Sequence, residues 1–306
     1  MHLSRAFSVA GSFLLFLAPT WAQQGGGPQL PPPDHANVRY GPDERNVFDL
    51  WLAKSAKPTP LLIYYHGGGF RGGDKRTLNV DFLRQLRENR ISVAAANYRL
   101  SGTAVFPAQM HDCARALQYI RLHAADYNID PARIGANGGS AGAGISMWLA
   151  FHNDLKDPAS PEPLLRQSTR LTAAVVYNAQ SSYDPRFIKK LMDTNQVSPA
   201  LVQLFGMKSA ADVDDPKFHP LFEEASPIHH LTRDDAPVMV FYNQRNDPLP
   251  PNSSGGLHIH HPKFGFALKE KADKLGVECV ILLREQYPDG QPIDRWVKFL
   301  VEKLHP

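Results

Sequence analysis

Two glycine-rich phrases hold residues whose types and spacing can do chemistry. His66-Gly67-Gly68-Gly69-Phe70 and Gly138-Gly139-Ser140-Ala141-Gly142 stand about 70 positions apart, each at the end of a run that reads as a buried strand. The second has the form G-x-S-x-G, which sets a serine on a strained strand-to-helix turn with its hydroxyl exposed. The first offers backbone N–H groups, with no Cβ in the way, to an oxygen that gains negative charge during reaction. A raised serine facing such donors is equipment for acyl transfer. Either phrase alone is also an ordinary glycine turn, so the inference rests on their pairing, order and spacing.

Both phrases must come to one edge of a sheet, and the pattern around them supplies a parallel α/β one. Residues 38–40 and 47–53 open as two extended runs. Residues 60–65 are apolar without alternation, as in a strand covered on both faces. Residues 81–88 then read as helix, 91–98 as the next buried strand, and 107–125 as a long helix with Met110, Ala114, Leu117 and Ile120 along one face. Residues 133–136 form the strand beneath Ser140. The small residues from Ala141 to Gly144 let the following helix approach its strand closely. Runs at 171–177, 238–242 and 277–283 supply further strands, and 293–303 a closing helix.

The chain has 306 residues, 43% of them hydrophobic, which suits one large domain. Its net charge is +3, with Lys and Arg interspersed among Asp and Glu, so nucleic acid is not an expected partner. His2 and Arg5, an apolar stretch over residues 6–18 and Thr20-Trp21-Ala22 read as an export signal cleaved after Ala22. That apolar run is too short to span a bilayer, and no stable membrane anchor is expected. The expected organisation is a signal peptide at 1–22, a disordered Gly/Gln/Pro-rich lead-in at 23–36 and a folded domain at 37–306, exported to the periplasm or beyond. Cys113 and Cys279 read as small buried side chains rather than a disulfide.

With these motifs in place, the chain resembles the α/β-hydrolase superfamily, in the esterase/lipase branch marked by an HGGGF phrase and a GxSAG elbow. Asp130-Pro131-Ala132-Arg133-Ile134-Gly135, Asn97-Tyr98-Arg99-Leu100 and Ser226-Pro227-Ile228-His229-His230 are similar to stretches at the same places in that branch. The resemblance covers most of the mature chain. It implies a doubly wound, mostly parallel sheet with the serine at the carboxyl ends of its strands, and a short helical lid insert over residues 180–222. It also implies that Ser140 is the nucleophile, that the N–H groups of Gly68, Gly69 and Ala141 hold the oxyanion, and that His66 braces the loop rather than accepting a proton. The chemistry calls for no cofactor and no metal.

In this branch the acid follows the seventh strand and the base histidine follows the eighth. Asp247, in Asn246-Asp247-Pro248, fits the acid. After the eighth strand the chain reads Arg284-Glu285-Gln286-Tyr287-Pro288-Asp289-Gly290 and has no histidine there, while His305 lies at the far end of the closing helix. Instead His258-Ile259-His260-His261-Pro262 occurs between the seventh strand and the next helix, on a loop that opens to the same edge. His260 or His261 is the candidate base, oriented by Asp247 or, across the gap, by Asp289 or Glu285. Capping, surface and metal-binding roles for this cluster stay open, with His261 marking a helix start before Pro262. His152, His229 and His230 read as structural.

The expected activity is serine-dependent hydrolysis of carboxylic esters, either small or carbohydrate-linked. A weakened hydrolase fold kept for binding, and a serine peptidase, are the alternatives.

Overall fold

The computed structural model describes residues 29–305, so the expected signal peptide lies outside the described residues. Eight strands form one sheet: β1 (His35–Arg39), β2 (Val47–Trp51), β3 (Thr59–Tyr65), β4 (Ser92–Ala96), β5 (Ile129–Gly139), β6 (Ala173–Tyr177), β7 (Val238–Tyr242) and β8 (Cys279–Leu283). Their order is β1-β2-β4-β3-β5-β6-β7-β8. β1 and β2 are antiparallel at one edge, and the other six run parallel.

Every residue of β3 is buried, as its unbroken apolar run requires of a strand covered on both faces. One face of the sheet carries α1 (Val80–Glu88) and α10 (Ile293–Leu304), whose Phe82, Leu86, Trp296 and Leu300 pack with Leu62 and Val175. The other carries α2 (Ala108–Leu122), α3 (Ala141–Phe151) and α9 (Lys263–Leu275). All eleven residues of α3 are buried, so this helix is apolar around its whole circumference rather than along one stripe. Four short helices follow β6, α4 (Pro185–Met192), α5 (Pro199–Leu204), α6 (His219–Ala225) and α7 (Pro227–His230), of which α6 and α7 meet the C-terminal end of α3 through Trp148 and His152, and α8 (Gly255–His258) precedes α9.

The sheet is the doubly wound one expected. Two local expectations change. β5 begins at Ile129, four residues before the expected start, because Ile129 pairs with Thr59 across an irregularity at Asp130-Pro131. The end of the lead-in is not loose: Trp51 Nε1 donates to the Pro31 carbonyl (2.8 Å) and Leu52 N–H to Asp34 Oδ2 (2.7 Å). The indole N–H of this buried tryptophan needs an acceptor, and the segment supplies it. Cys113 and Cys279 are both free and buried. Among the described residues no helix is long and apolar enough to cross a membrane.

Candidate active site

Ser140 stands between β5 and α3 with φ 52° and ψ −116°, a strained conformation for a residue with a side chain. Glycines make the turn possible. A Cβ on Gly142 would run into the Tyr65 carbonyl, and one on Gly138 into Gly142 itself. Ser140 N–H donates to the Tyr177 carbonyl (3.0 Å) and its own carbonyl receives Gly144 N–H (3.1 Å), tying the serine to β6 and to the first turn of α3.

The loop after β3 is wound by Gly68 (φ 110°), Gly69 (φ 60°) and Gly73 (φ 106°). The Gly68 carbonyl turns inward and accepts from the N–H groups of Arg71 (3.0 Å) and Gly72 (3.2 Å). Among the described residues, the N–H groups of Gly68, Gly69 and Ala141 meet no protein acceptor. These are the three expected oxyanion donors. His66 is fully buried, with its ring stacked on Tyr98 at 4.3 Å. Arg45 donates to its Nε2 (3.2 Å), so its Nδ1 carries the hydrogen and donates to the Gly67 carbonyl (2.8 Å). Burial drives its pKa down to about 4, which keeps it a neutral brace.

His260 reaches the serine. Its Nε2 lies 2.9 Å from Ser140 Oγ. Burial holds its pKa below the ordinary histidine value, which favours the neutral form a proton acceptor needs. His261 does not point there: its Nε2 donates to the Asp247 carbonyl (2.9 Å) and its Nδ1 accepts from Lys263 N–H (3.2 Å), which uses both ring nitrogens at the start of α9. His258 is buried with neither nitrogen paired among the described residues. It lines a small, partly open crevice with Gln180, Ile188, Gln196, Ser198 and Leu201.

The structure does not bring the expected acid to the base. The Asp247 carboxylate is exposed and takes Arg245 Nε (3.1 Å), so this residue meets the histidine pair through its carbonyl and not its side chain. Glu285 accepts from Asn246 N–H (3.1 Å), and among the described residues no carboxylate is hydrogen-bonded to His260. The region between β6 and β7 reaches the serine's surroundings through α5: a Cβ built on Gly69 would come 3.4 Å from that of Ala200. A wide concavity of about 800 Å³ elsewhere, lined by Arg99, His111 and Arg115 among others, shares no residue with this site.

A serine on an elbow, open backbone donors beside it and an imidazole on its hydroxyl is the arrangement by which α/β-hydrolases are recognised. The BD-FAE family model matches residues 48–260, well over half of the chain. The chain belongs to the BD-FAE family. Among curated proteins it is 29% identical over 222 residues to "Esterase LipQ" of Mycobacterium tuberculosis (strain ATCC 25618 / H37Rv), covering 71% of this chain and 50% of that protein. The chain therefore spans about half the length of the curated relatives it matches. Among solved structures, a truncated carbohydrate esterase from gut microbiota superposes with TM-score 0.68 at 21% identity, covering 89% of this chain and 96% of that one. An acetyl ester-xyloside bifunctional hydrolase from Caldicellulosiruptor lactoaceticus does so with TM-score 0.65 at 20% identity, covering 90% and 94%. These likenesses confirm the α/β-hydrolase fold for this BD-FAE member.

Proposed function

We propose that this BD-FAE member is a serine carboxylesterase acting on small or carbohydrate-linked acyl esters. One observation carries the reading: the 2.9 Å contact between His260 Nε2 and Ser140 Oγ. As Oγ attacks the ester carbonyl carbon, Nε2 takes its proton. The carbonyl oxygen becomes an oxyanion facing the N–H groups of Gly68, Gly69 and Ala141. Collapse expels the alcohol, protonated from Nε2, and leaves an acyl-enzyme that water, activated by the same imidazole, hydrolyses. Support for carbohydrate-linked esters comes from the structural neighbours, one named a carbohydrate esterase and one an acetyl ester-xyloside bifunctional hydrolase. The reading includes export and removal of residues 1–22, checked by sequencing the N-terminus of the secreted protein, where any start far from Gln23 refutes it.

Steady-state hydrolysis of p-nitrophenyl acetate and of acetylated xylo-oligosaccharides, with Ser140→Ala as the blank, tests the activity. The absence of a carboxylate on His260 favours a second reading, a weakened hydrolase fold used for binding. That reading predicts one slow equivalent of p-nitrophenol per chain and no turnover after it.

A further inference from the structure

Helix α3 carries chemistry at both ends. Ser140 caps its N-terminus and His152 its C-terminus. There His152 meets Glu224, the last residue but one of α6, and His230, the last residue of α7. One candidate ligand atom from each lies within 4.8 Å of the other two, and all three residues are half-buried. His152 Nε2 is 2.9 Å from Glu224 Oε1, and His230 Nε2 is 3.9 Å from Glu224 Oε2. Trp148 stacks on the His152 ring at 4.1 Å and fixes its plane.

The hydrogen bonds show what this cluster needs. His152 Nδ1 lies 2.7 Å from the Asn153 carbonyl, which can only accept, so Nδ1 carries the hydrogen. In a neutral ring, Nε2 then turns a lone pair toward a carboxylate oxygen 2.9 Å away. Two acceptors at that distance require a cation, either a proton on Nε2 or a metal ion between them. The surroundings favour positive charge, because the C-terminal ends of α3, α6 and α7 converge here and each presents partial negative charge. An Nδ1–H donated to a backbone carbonyl is also how ligating imidazoles are held with Nε2 facing outward.

We infer that His152, Glu224 and His230 bind a divalent transition-metal ion, zinc foremost, which staples the helix bearing Ser140 to the α6–α7 segment. Two imidazoles and a carboxylate, with a water in the fourth position, suit zinc. The ligand-to-ligand edge of a tetrahedral site with such bonds is about 3.3 Å, between the 2.9 and 3.9 Å separations found here. His230 Nε2 gives up its bond to the Glu224 carbonyl (2.7 Å) on binding, and that carbonyl keeps the Trp148 indole N–H (2.8 Å), so no buried acceptor is stranded. The eleven residues of α3, at ~1.5 Å rise each, keep the ion about 16 Å from the serine. It therefore braces the fold and takes no part in the acyl chemistry, and the inference does not depend on the esterase reading.

Calorimetric titration of chelator-treated protein with zinc tests it, with Glu224→Gln and His152→Gln as ligand variants whose folding is checked by far-UV circular dichroism. The expected result is one zinc per chain, bound at least about 100-fold more weakly by each variant. Zinc also raises the wild-type Tm and leaves that of Glu224→Gln unchanged. Cobalt in place of zinc gives the visible bands of a tetrahedral nitrogen-oxygen site only in the wild type, a readout that survives if one variant folds poorly. No binding, with an imidazolium at His152 seen by NMR, overturns the proposal in favour of a proton. Zinc that persists in both variants and disappears with His258→Ala or His260→Ala also overturns it, because the ion then sits on the loop before α9.

Discussion

Ser140 rests on backbone that has one place to go, whereas His260 rides on a segment tied down mainly through side chains. The elbow is clamped by the Tyr177 carbonyl, by Gly144 N–H and by glycines pressed against the Tyr65 and His66 carbonyls. The segment between β7 and α9 is held by His261 on the Asp247 carbonyl, Glu285 on Asn246 N–H, Thr194 on the Ser253 carbonyl and Gln244 on the Leu257 carbonyl. The position of a nucleophile is a property of the sheet. The position of its base is a property of whichever loop reaches that edge, so a histidine from the β7 loop can stand in for one after β8.

The largest effect belongs to the sheet side. Ser140→Ala is expected to lower kcat for p-nitrophenyl acetate by at least about 10³-fold, with an unchanged Tm. Residual turnover within tenfold of wild type would place the chemistry elsewhere. On the loop side, His260→Ala should cost about 10²–10⁴-fold in kcat while the fold holds. His261→Ala should instead lose about 1 kcal/mol of stability, because its buried ring gives up its hydrogen bonds to the Asp247 carbonyl and Lys263 N–H, and keep most of the rate once folded. Chemical denaturation and single-turnover kinetics on the two variants separate these roles, and the reverse pattern would exchange the histidines.

The two regions also differ in what acid does to them. The ordinary histidine pKa is about 6.5, and burial lowers that of His260, so kcat/KM should stay level to below pH 6.5 and then fall about tenfold per pH unit. An acid limb centred above 6.5 would contradict a desolvated base. His66 governs stability instead. It is neutral in the fold with a pKa of about 4, while in the unfolded chain it takes up a proton near 6.5. Its contribution is constant above 6.5, and about 3 kcal/mol is lost as the pH falls from 6.5 to 4. Urea melts across that range, compared with a His66→Asn variant, measure it.

The smallest effect sharpens the comparison most. Asp247→Asn is expected to reduce kcat less than about tenfold, because its carboxylate is exposed and paired with Arg245. A loss near that of His260→Ala would mean that substrate draws the carboxylate onto the imidazole.

Much of the sheet side was legible in the sequence. The run from Leu61 to Tyr65, the glycine phrases and the order of elements are each dictated by local sterics or burial, and local rules act over neighbouring residues. His260 was legible as one of a pair, but choosing it over His261 needed the geometry before α9, where one ring meets the Ser140 hydroxyl and the other the Asp247 carbonyl. The acid was not legible, because a carboxylate's position in sequence does not say which way its side chain leans, and Asp247 leans to an arginine two residues away. The cluster at the end of α3 left no trace, since His152 and Glu224 stand 72 positions apart and meet only when α6 folds over α3.

The strip between β8 and α10 acquires a different meaning if the base comes from elsewhere. Residues 284–290 are mostly exposed, with Glu285 accepting from Asn246 N–H and Tyr287 set edge-on against Phe241 of β7. In descent, such a strip is released from the selection that fixes a catalytic loop, so it is where length and composition are free to drift. In engineering, it is a port: a second module or an affinity handle inserted after Pro288 enters beside the substrate edge without displacing a reacting group.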